Sequence, residues 1–320
     1  MKFLILGCGS IGTRHGLNLK KLGVSNFVLC DTNQRKLAQL GKKLQTNSLF
    51  LDYKTATRTH HDIDAAIVCT PTSQHVNQAI YLAQKSINIL MEKPLSHNSI
   101  GIDRLSKLVR KNRIIFMMGN SFIFDSGYSK IKSFLDKKLL GTVYYVNYTL
   151  EQFLPDWHPR IDYTKEYTAR KDLGGGAFLT LGSHSFYLIE WLFGNIKKIH
   201  GKLQINQSSL RIDVDDSFYF LGETKNGTIV QITNNFTSKI FNHKMIINCK
   251  NGTIEYQFLN NVLIIYRNNR KKIYKLNRDN NERYLQEMKY FLNTIDQGNI
   301  DEHLSITSGL RFMEFASKIR

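Results

Sequence analysis

The sequence predicts an α/β chain: a doubly wound parallel sheet over residues 1–120, followed by an α+β half with a mostly antiparallel sheet over residues 121–320. Three observations carry this. Short apolar runs alternate with helix-length amphipathic segments up to Asn120, the pattern of parallel strands joined by crossover helices. Beyond Asn120 the runs become alternating strand patterns separated by Asn226-Gly227 and Asn251-Gly252, which are hairpin signals. With 320 residues the chain can fill two cores.

In the first half, Phe3 to Leu6 reads as a buried strand feeding the turn Gly7-Cys8-Gly9-Ser10-Ile11-Gly12, and Thr13 to Leu22 as the helix after it. This is the strand–GxGxxG–helix order of a Rossmann dinucleotide site. Gly7 allows the tight turn, Gly9 lets a pyrophosphate approach the backbone, and Gly12 lets helix and strand pack closely. Free N–H groups at the helix start face the phosphates. Asn26 to Cys30 is the next strand and ends at Asp31, about 20 residues past the glycines, where a carboxylate binds the adenosine ribose hydroxyls. That favours NAD; Arg35, a turn further on, leaves NADP open.

Helix Gln34 to Leu44, strand Ser48 to Leu51, strand Asp64 to Cys69, helix Ser73 to Ser86, strand Asn88 to Met91, helix Ile100 to Lys111 and strand Ile114 to Met118 complete the alternation. A helix over Ser129 to Lys138 opens the second half. Strands follow at 142–150, 217–221, 228–234, 244–249, 253–258, 262–267 and 272–276, with closing helices near Glu282 to Asp296 and Ser305 to Lys318.

No stretch approaches the roughly 18–20 apolar residues of a membrane span. Ile5-Leu6-Gly7-Cys8 imitates a lipoprotein cleavage site, but the apolar run before Cys8 is only four residues, too short for a secretory core. Cys8, Cys30, Cys69 and Cys249 lack CxxC spacing and read as small buried hydrophobes in a reducing cytoplasm, with no metal site indicated. The net charge of +18 suits anionic ligands such as dinucleotides and acidic or nucleotide-linked sugars, or else reflects solvated surface lysines. No basic helix with interleaved aromatics argues for nucleic acid.

Two segments carry chemistry. Glu92-Lys93-Pro94 follows a buried strand and so lies at the C-terminal edge of the sheet, where α/β ligands bind. A lysine there is desolvated toward proton-transfer work, or caps the strand end with Glu92 as its ion-pair partner. Gly174-Gly175-Gly176 leads into a helix over Ala177 to Phe193 stopped by Gly194. Thr180, His184 and Tyr187 form one polar stripe on it, structural or functional.

The segments GCGSIGTRH, CTPTSQH, MEKPLS and LGGGAFLTLGSHSFYLIEWLFG, in this order and spacing, resemble the glucose–fructose oxidoreductase/inositol dehydrogenase (Gfo/Idh/MocA) family over nearly the whole chain. The resemblance implies a dinucleotide-binding domain, a C-terminal domain with a large open sheet, and homodimers or homotetramers through that sheet. It implies that Lys93 touches cofactor and substrate and that His184 is the proton carrier. It also extends the cofactor contacts beyond the glycine loop, Asp31 and Arg35 to Ser10, Ile11, Thr70, Pro71, Thr72, His75, Glu92 and Asn120. Thr180 stands where many members carry an aspartate, leaving the proton to Lys93, His184 or a tyrosine such as Tyr163. Phe122 to Phe124 replaces a stretch where relatives often have arginine.

Leu154 to Lys171 is similar to a branch of the family associated with bacterial surface-glycan and nonulosonic sugar pathways. Trp157, Arg160, Tyr163 and Arg170 there, with Thr180 and His184, are the candidate substrate residues. Aromatic plates stack on sugar rings and arginines pair with carboxylate or phosphate; an ordered loop at a subunit interface has the same composition. The expectation is a cytoplasmic NAD(P)-dependent sugar oxidoreductase without nucleic-acid or membrane partners. The alternative is a non-catalytic NAD(P)-binding sensor of the same fold.

Overall fold

Phe3, Leu4 and Ile5 have no exposed surface, because the strand they form sits in the middle of a six-stranded parallel sheet. A computed structural model describes residues 1–206, 209–276 and 279–319 of the chain. Strand β1 (Lys2–Leu6) leads to α1 (Ser10–Lys21), β2 (Asn26–Cys30), α2 (Gln34–Leu44), β3 (Leu49–Phe50) and α3 (Tyr53–Thr59). The chain then crosses to β4 (Ala65–Val68), α4 (His75–Gln84), β5 (Asn88–Glu92), α5 (Ile102–Asn112) and β6 (Phe116–Gly119). The order β3-β2-β1-β4-β5-β6 reverses between β1 and β4, the crevice where dinucleotides bind in such sheets. Short α3 has no counterpart in the sequence expectation; Asp52 starts it by accepting the Thr55 N–H at 2.7 Å.

The second compact unit opens with α6 (Ser126–Asp136), capped by Asp125, which accepts the N–H groups of Gly127 and Tyr128. Strand β7 (Val143–Glu151) follows, then four 3-10 turns between Leu154 and Leu173, then α7 (Ser183–Phe193). Next come β8 (Ile196–Ile205), β9 (Ser217–Thr224), β10 (Ile229–Asn235), β11 (Asn242–Cys249), β12 (Gly252–Gln257), β13 (Val262–Arg267) and β14 (Arg270–Lys275). They form one eight-stranded sheet, β14-β13-β12-β11-β7-β10-β9-β8, antiparallel except where β7 pairs β10. Asn226-Gly227 lies in the turn of the β9–β10 hairpin, and Lys250-Asn251 turns the β11–β12 hairpin, with Gly252 already paired to Cys249. One face buries Val146, Tyr148, Phe218, Ile232, Met245 and Tyr256. Each such side chain contributes roughly 1.5–3 kcal/mol. Strand β8 was not expected: its sequence, IKKIHGKLQI, is mostly exposed, as an edge strand kept polar against further pairing is.

The closing helices α8 (Glu282–Gln297) and α9 (Ile306–Ile319) correct the expected division. Residues Asn281–Lys318 cluster with Met1–Ser121, and the second unit is built on Phe122–Asn280. The reason is their apolar stripes. Phe291 meets Phe3 edge-on at 6.4 Å, and Met288 and Phe312 are fully buried. Asn281 and Asn18 exchange amide hydrogen bonds at 2.6 and 3.3 Å, and the Met118 N–H donates to the Leu304 carbonyl at 2.7 Å. No helix of the described residues is long and apolar enough to cross a membrane.

Candidate functional site

In the first unit the sequence candidates gather at the C-terminal ends of β1, β2, β4, β5 and β6. Gly7 has φ +90, a left-handed conformation that favours glycine. A side chain at Gly12 would put its Cβ 1.9 Å from the Gly7 carbonyl oxygen, so helix and loop touch backbone to backbone. Gly9 begins α1 without a side-chain cap, and a Cβ there would have nothing within 4 Å. The helix carries no acid in its first turn and Lys20 and Lys21 in its last, a charge distribution that leaves its N-terminus open to an anion. Ser10 and Ile11 lie in that first turn.

Asp31 closes the loop from the side. Its Oδ2 accepts the Cys8 N–H at 2.7 Å and its Oδ1 the Asn33 N–H at 2.7 Å. Arg35 is exposed on the first turn of α2. After β4, Thr70 donates its hydroxyl to Gln78 at 2.6 Å, Pro71 leads into a 3-10 turn, and Thr72 is buried. His75 was expected on the cofactor. Both ring nitrogens face inward, Nδ1 2.8 Å from the Pro94 carbonyl and Nε2 2.8 Å from the Thr70 carbonyl. The imidazole sits between the two loops. Burial pushes its pKa down against the pull of the two carbonyls, so the neutral ring donates to one of them.

Lys93 directly follows β5, ahead of a cis peptide to Pro94. Burial pulls its pKa down to about 8, while the Glu92 charge pulls it up. Glu92 is bonded to His15 of α1, Nε2 to Oε1 at 2.7 Å, and Gly119 of β6 abuts its carboxyl. Asn120, fully buried after β6, has no hydrogen-bond partner for either side-chain amide atom among the described residues. That orphaned amide, the unfilled space at Gly9 and the uncapped helix start fit a dinucleotide.

In the second unit the helix expected over Ala177 to Phe193 starts with one π turn, Phe178–Gly182, before α7, a local irregularity often found at functional sites. Thr180 is buried and donates its hydroxyl back to the Gly176 carbonyl at 2.7 Å. His184 is half-buried and packs on Phe122, ring centroids 4.7 Å apart. Trp157 meets Phe236 edge-on at 5.3 Å. The Tyr163 hydroxyl accepts the Arg211 N–H, Arg160 is exposed, and Arg170 forks onto Asp172 at 2.7 and 3.0 Å.

The sequence reading missed several groups. Asp215 accepts the Phe178 N–H at 2.6 Å and occupies the space a side chain at Gly176 would need. His243 Nε2 lies 2.8 Å from the hydroxyls of both Tyr128 and Tyr148. Glu287 of α8, with no exposed surface, comes close to His15 and Glu92, one donor atom of each lying within 4.8 Å of the others. His15 had a local signal, three residues past Gly12; Glu287 had only its place on an apolar helix stripe. The four cysteines are unpaired, and burial holds the thiols of Cys8 and Cys30 up at about 12.

Comparison with known proteins agrees with this geometry. Residues 1–120 match the profile of the oxidoreductase family with an NAD-binding Rossmann fold, and residues 128–255 that of the GFO/IDH/MocA C-terminal domain. The myo-inositol 2-dehydrogenase of Thermotoga maritima is 26% identical over 195 residues, 61% of this chain and 55% of that protein. The chain thus spans little more than half the length of that relative. Two solved structures share the fold over the whole chain. Levoglucosan dehydrogenase in complex with NADH superposes with TM-score 0.87 at 16% identity, over 100% of this chain and 95% of that one. The WlbA dehydrogenase of Bordetella pertussis in complex with NADH and UDP-GlcNAcA gives 0.80 at 19% identity, also over 100% and 95%. With both of its domains matched and the dinucleotide loop in place, the chain belongs to the GFO/IDH/MocA oxidoreductase family.

Proposed function

We propose that the protein is an NAD(P)-dependent oxidoreductase acting on a CH–OH group of a sugar, and that the sugar is anionic or nucleotide-linked. The observation that carries the reading is Lys93, titrating at about 8 on the same sheet edge as the dinucleotide loop. Gly7, Gly9 and the first turn of α1 hold the pyrophosphate, Asp31 the adenosine ribose, and Asn120 offers its amide. The nicotinamide, when bound, supplies the hydride acceptor or donor. Lys93 takes the hydroxyl proton in oxidation and returns it in reduction. His184 and Tyr163 are the other candidate proton carriers; Thr180 spends its hydroxyl on the Gly176 carbonyl and carries no charge to orient either.

The substrate class rests on the second unit. Arg160 is exposed with no ion pair among the described residues, Trp157 and Tyr163 flank it in the same loop, and the net charge is +18. The WlbA dehydrogenase, which shares the fold, was solved in complex with UDP-GlcNAcA, a nucleotide-linked acidic sugar. Leu203, Tyr219 and Leu221 lie side by side on the exposed sheet face, which supports homo-oligomers through that face. Unpaired cysteines, three of the four buried, suit a reducing cytoplasm.

The test is reduction of NAD or NADP by the purified protein across neutral, acidic and nucleotide-linked sugars, read by nicotinamide absorbance. Turnover confined to neutral sugars removes the anionic assignment. The missing carboxylate at Thr180 favours a second reading, a non-catalytic NAD(P) sensor. Tight NADH binding with no turnover on any substrate would select it.

A further inference from the structure

We propose that His15, Glu92 and Glu287 form a proton-holding cluster beside Lys93, in which Glu287 keeps a proton and Glu92 carries the charge, so that a single negative charge acts on the lysine. The placement comes from three elements: α1 brings His15, the end of β5 brings Glu92, and α8 brings Glu287. Their donor atoms lie within 4.8 Å of one another. His15 and Glu287 have no exposed surface and the Glu92 side chain keeps 16%.

Two carboxylates this close in a buried space do not both ionise. Their surroundings decide which one does. Glu92 takes the His15 ring N–H at 2.7 Å, has Lys93 and His75 nearby, and retains some solvent. Although burial opposes it, those partners hold its pKa below the usual carboxylate range. Glu287 meets no hydrogen-bond partner of good geometry at either oxygen among the described residues. The Asn120 backbone N–H and Arg283 on its own helix favour its ionised form. Burial and the Glu92 charge outweigh both and push its pKa well up. Two further titratable neighbours are the Cys69 thiol after β4, held neutral by burial, and Tyr284 of α8, edge-on to the His15 ring at 6.0 Å.

The consequence for catalysis rests on the reading of Lys93 above; the charge assignment does not. Two ionised carboxylates would bind the Lys93 proton too firmly for exchange near neutral pH. One leaves it exchangeable. Glu287 is therefore a positioning residue that acts through Glu92.

The test measures the pH of half-maximal acetylation of Lys93 by mass spectrometry in the full chain, without cofactor. Glu287→Gln is expected to leave that pH in place, whereas Glu92→Gln lowers it by about one unit or more. A matching fall in Glu287→Gln overturns the proposal, because Glu287 then carries charge. So does stoichiometric binding of Mn2+ or Zn2+ that Glu287→Gln abolishes, since a cation needs both carboxylates ionised. Glu287→Gln should also gain thermal stability over the wild type as pH rises above the ordinary glutamate value of about 4.3, where the unfolded chain ionises Glu287 and the folded chain keeps it protonated. A loss across that range contradicts the assignment. If the variant does not fold, infrared spectra of glutamate-labelled wild-type protein decide: a protonated carboxyl band must persist at neutral pH. None of these readouts needs turnover, so a protein silent on every sugar would defeat the functional reading and leave the cluster standing.

Discussion

The carboxylate of Asp31 accepts the backbone N–H of Cys8 at 2.7 Å. The residue proposed to bind the adenosine ribose therefore also holds the glycine loop in shape. Asp31→Ser removes a charge that repels a 2′-phosphate and loosens the loop together. The NADP/NAD preference should rise by about tenfold or more, the scale of one like-charge clash removed, while both affinities fall. Dissociation constants from NADH and NADPH fluorescence check this; an unchanged ratio removes the ribose assignment.

Gly9 and Gly12 separate ligand binding from folding. An added Cβ at Gly9 meets nothing within 4 Å and the backbone there is extended. Gly9→Ala should keep the wild-type melting temperature and lose affinity for NAD(H), because only a pyrophosphate would contact the new methyl. At Gly12 the same methyl lands on the Gly7 carbonyl oxygen. Gly12→Ala should cost about 1–3 kcal/mol of stability or more. Calorimetry with and without NADH distinguishes the two; equal destabilisation would mean that the loop is purely structural.

How much of this was legible follows from which forces are local. The β1–loop–α1 unit and Asp31 were readable because turn geometry and helix start are written in adjacent residues. The hairpins at Asn226-Gly227 and Asn251-Gly252 were readable for the same reason. Strand β8 was not, because an edge strand stays polar and loses the alternation that marks a buried one. The return of α8 and α9 to the first unit, and with it Glu287 beside Glu92, depends on packing between segments far apart in sequence. The inward turn of His75 was hidden likewise: nothing in CTPTSQH says that Pro94 supplies its second carbonyl.

Arg160 and Arg170 have different freedom although they sit in one loop. Arg170 already forks onto Asp172, whereas Arg160 is exposed. Arg160→Ala should raise KM for an anionic sugar by about tenfold, the scale of one charge-assisted hydrogen bond, with little change for a neutral sugar. Arg170→Ala should affect the two substrates alike, acting through loop order. Steady-state kinetics on a matched acidic and neutral pair decide. Equal effects from both variants would place the anion elsewhere.

Lys93 sets the pH dependence. With its pKa at about 8, the neutral amine that accepts a proton in sugar oxidation accumulates above that pH, so the oxidation rate should climb through it. Reduction needs the protonated form and should decline over the same range. Lys93→Ala should remove both inflections and lower kcat by about 10²–10⁴. Lys93→Arg keeps the charge but cannot release the proton, so it should not restore turnover. Stability has its own sign. Between about 8 and the ordinary lysine value of about 10.4, the unfolded chain holds a proton that the folded chain has lost, so wild-type stability rises with pH there. Lys93→Ala escapes the cost of burying the ammonium, so its stability gain should be largest below pH 8 and shrink toward pH 10. A constant gain across that range would mean that the lysine is not desolvated, and the proton would then fall to His184 or Tyr163.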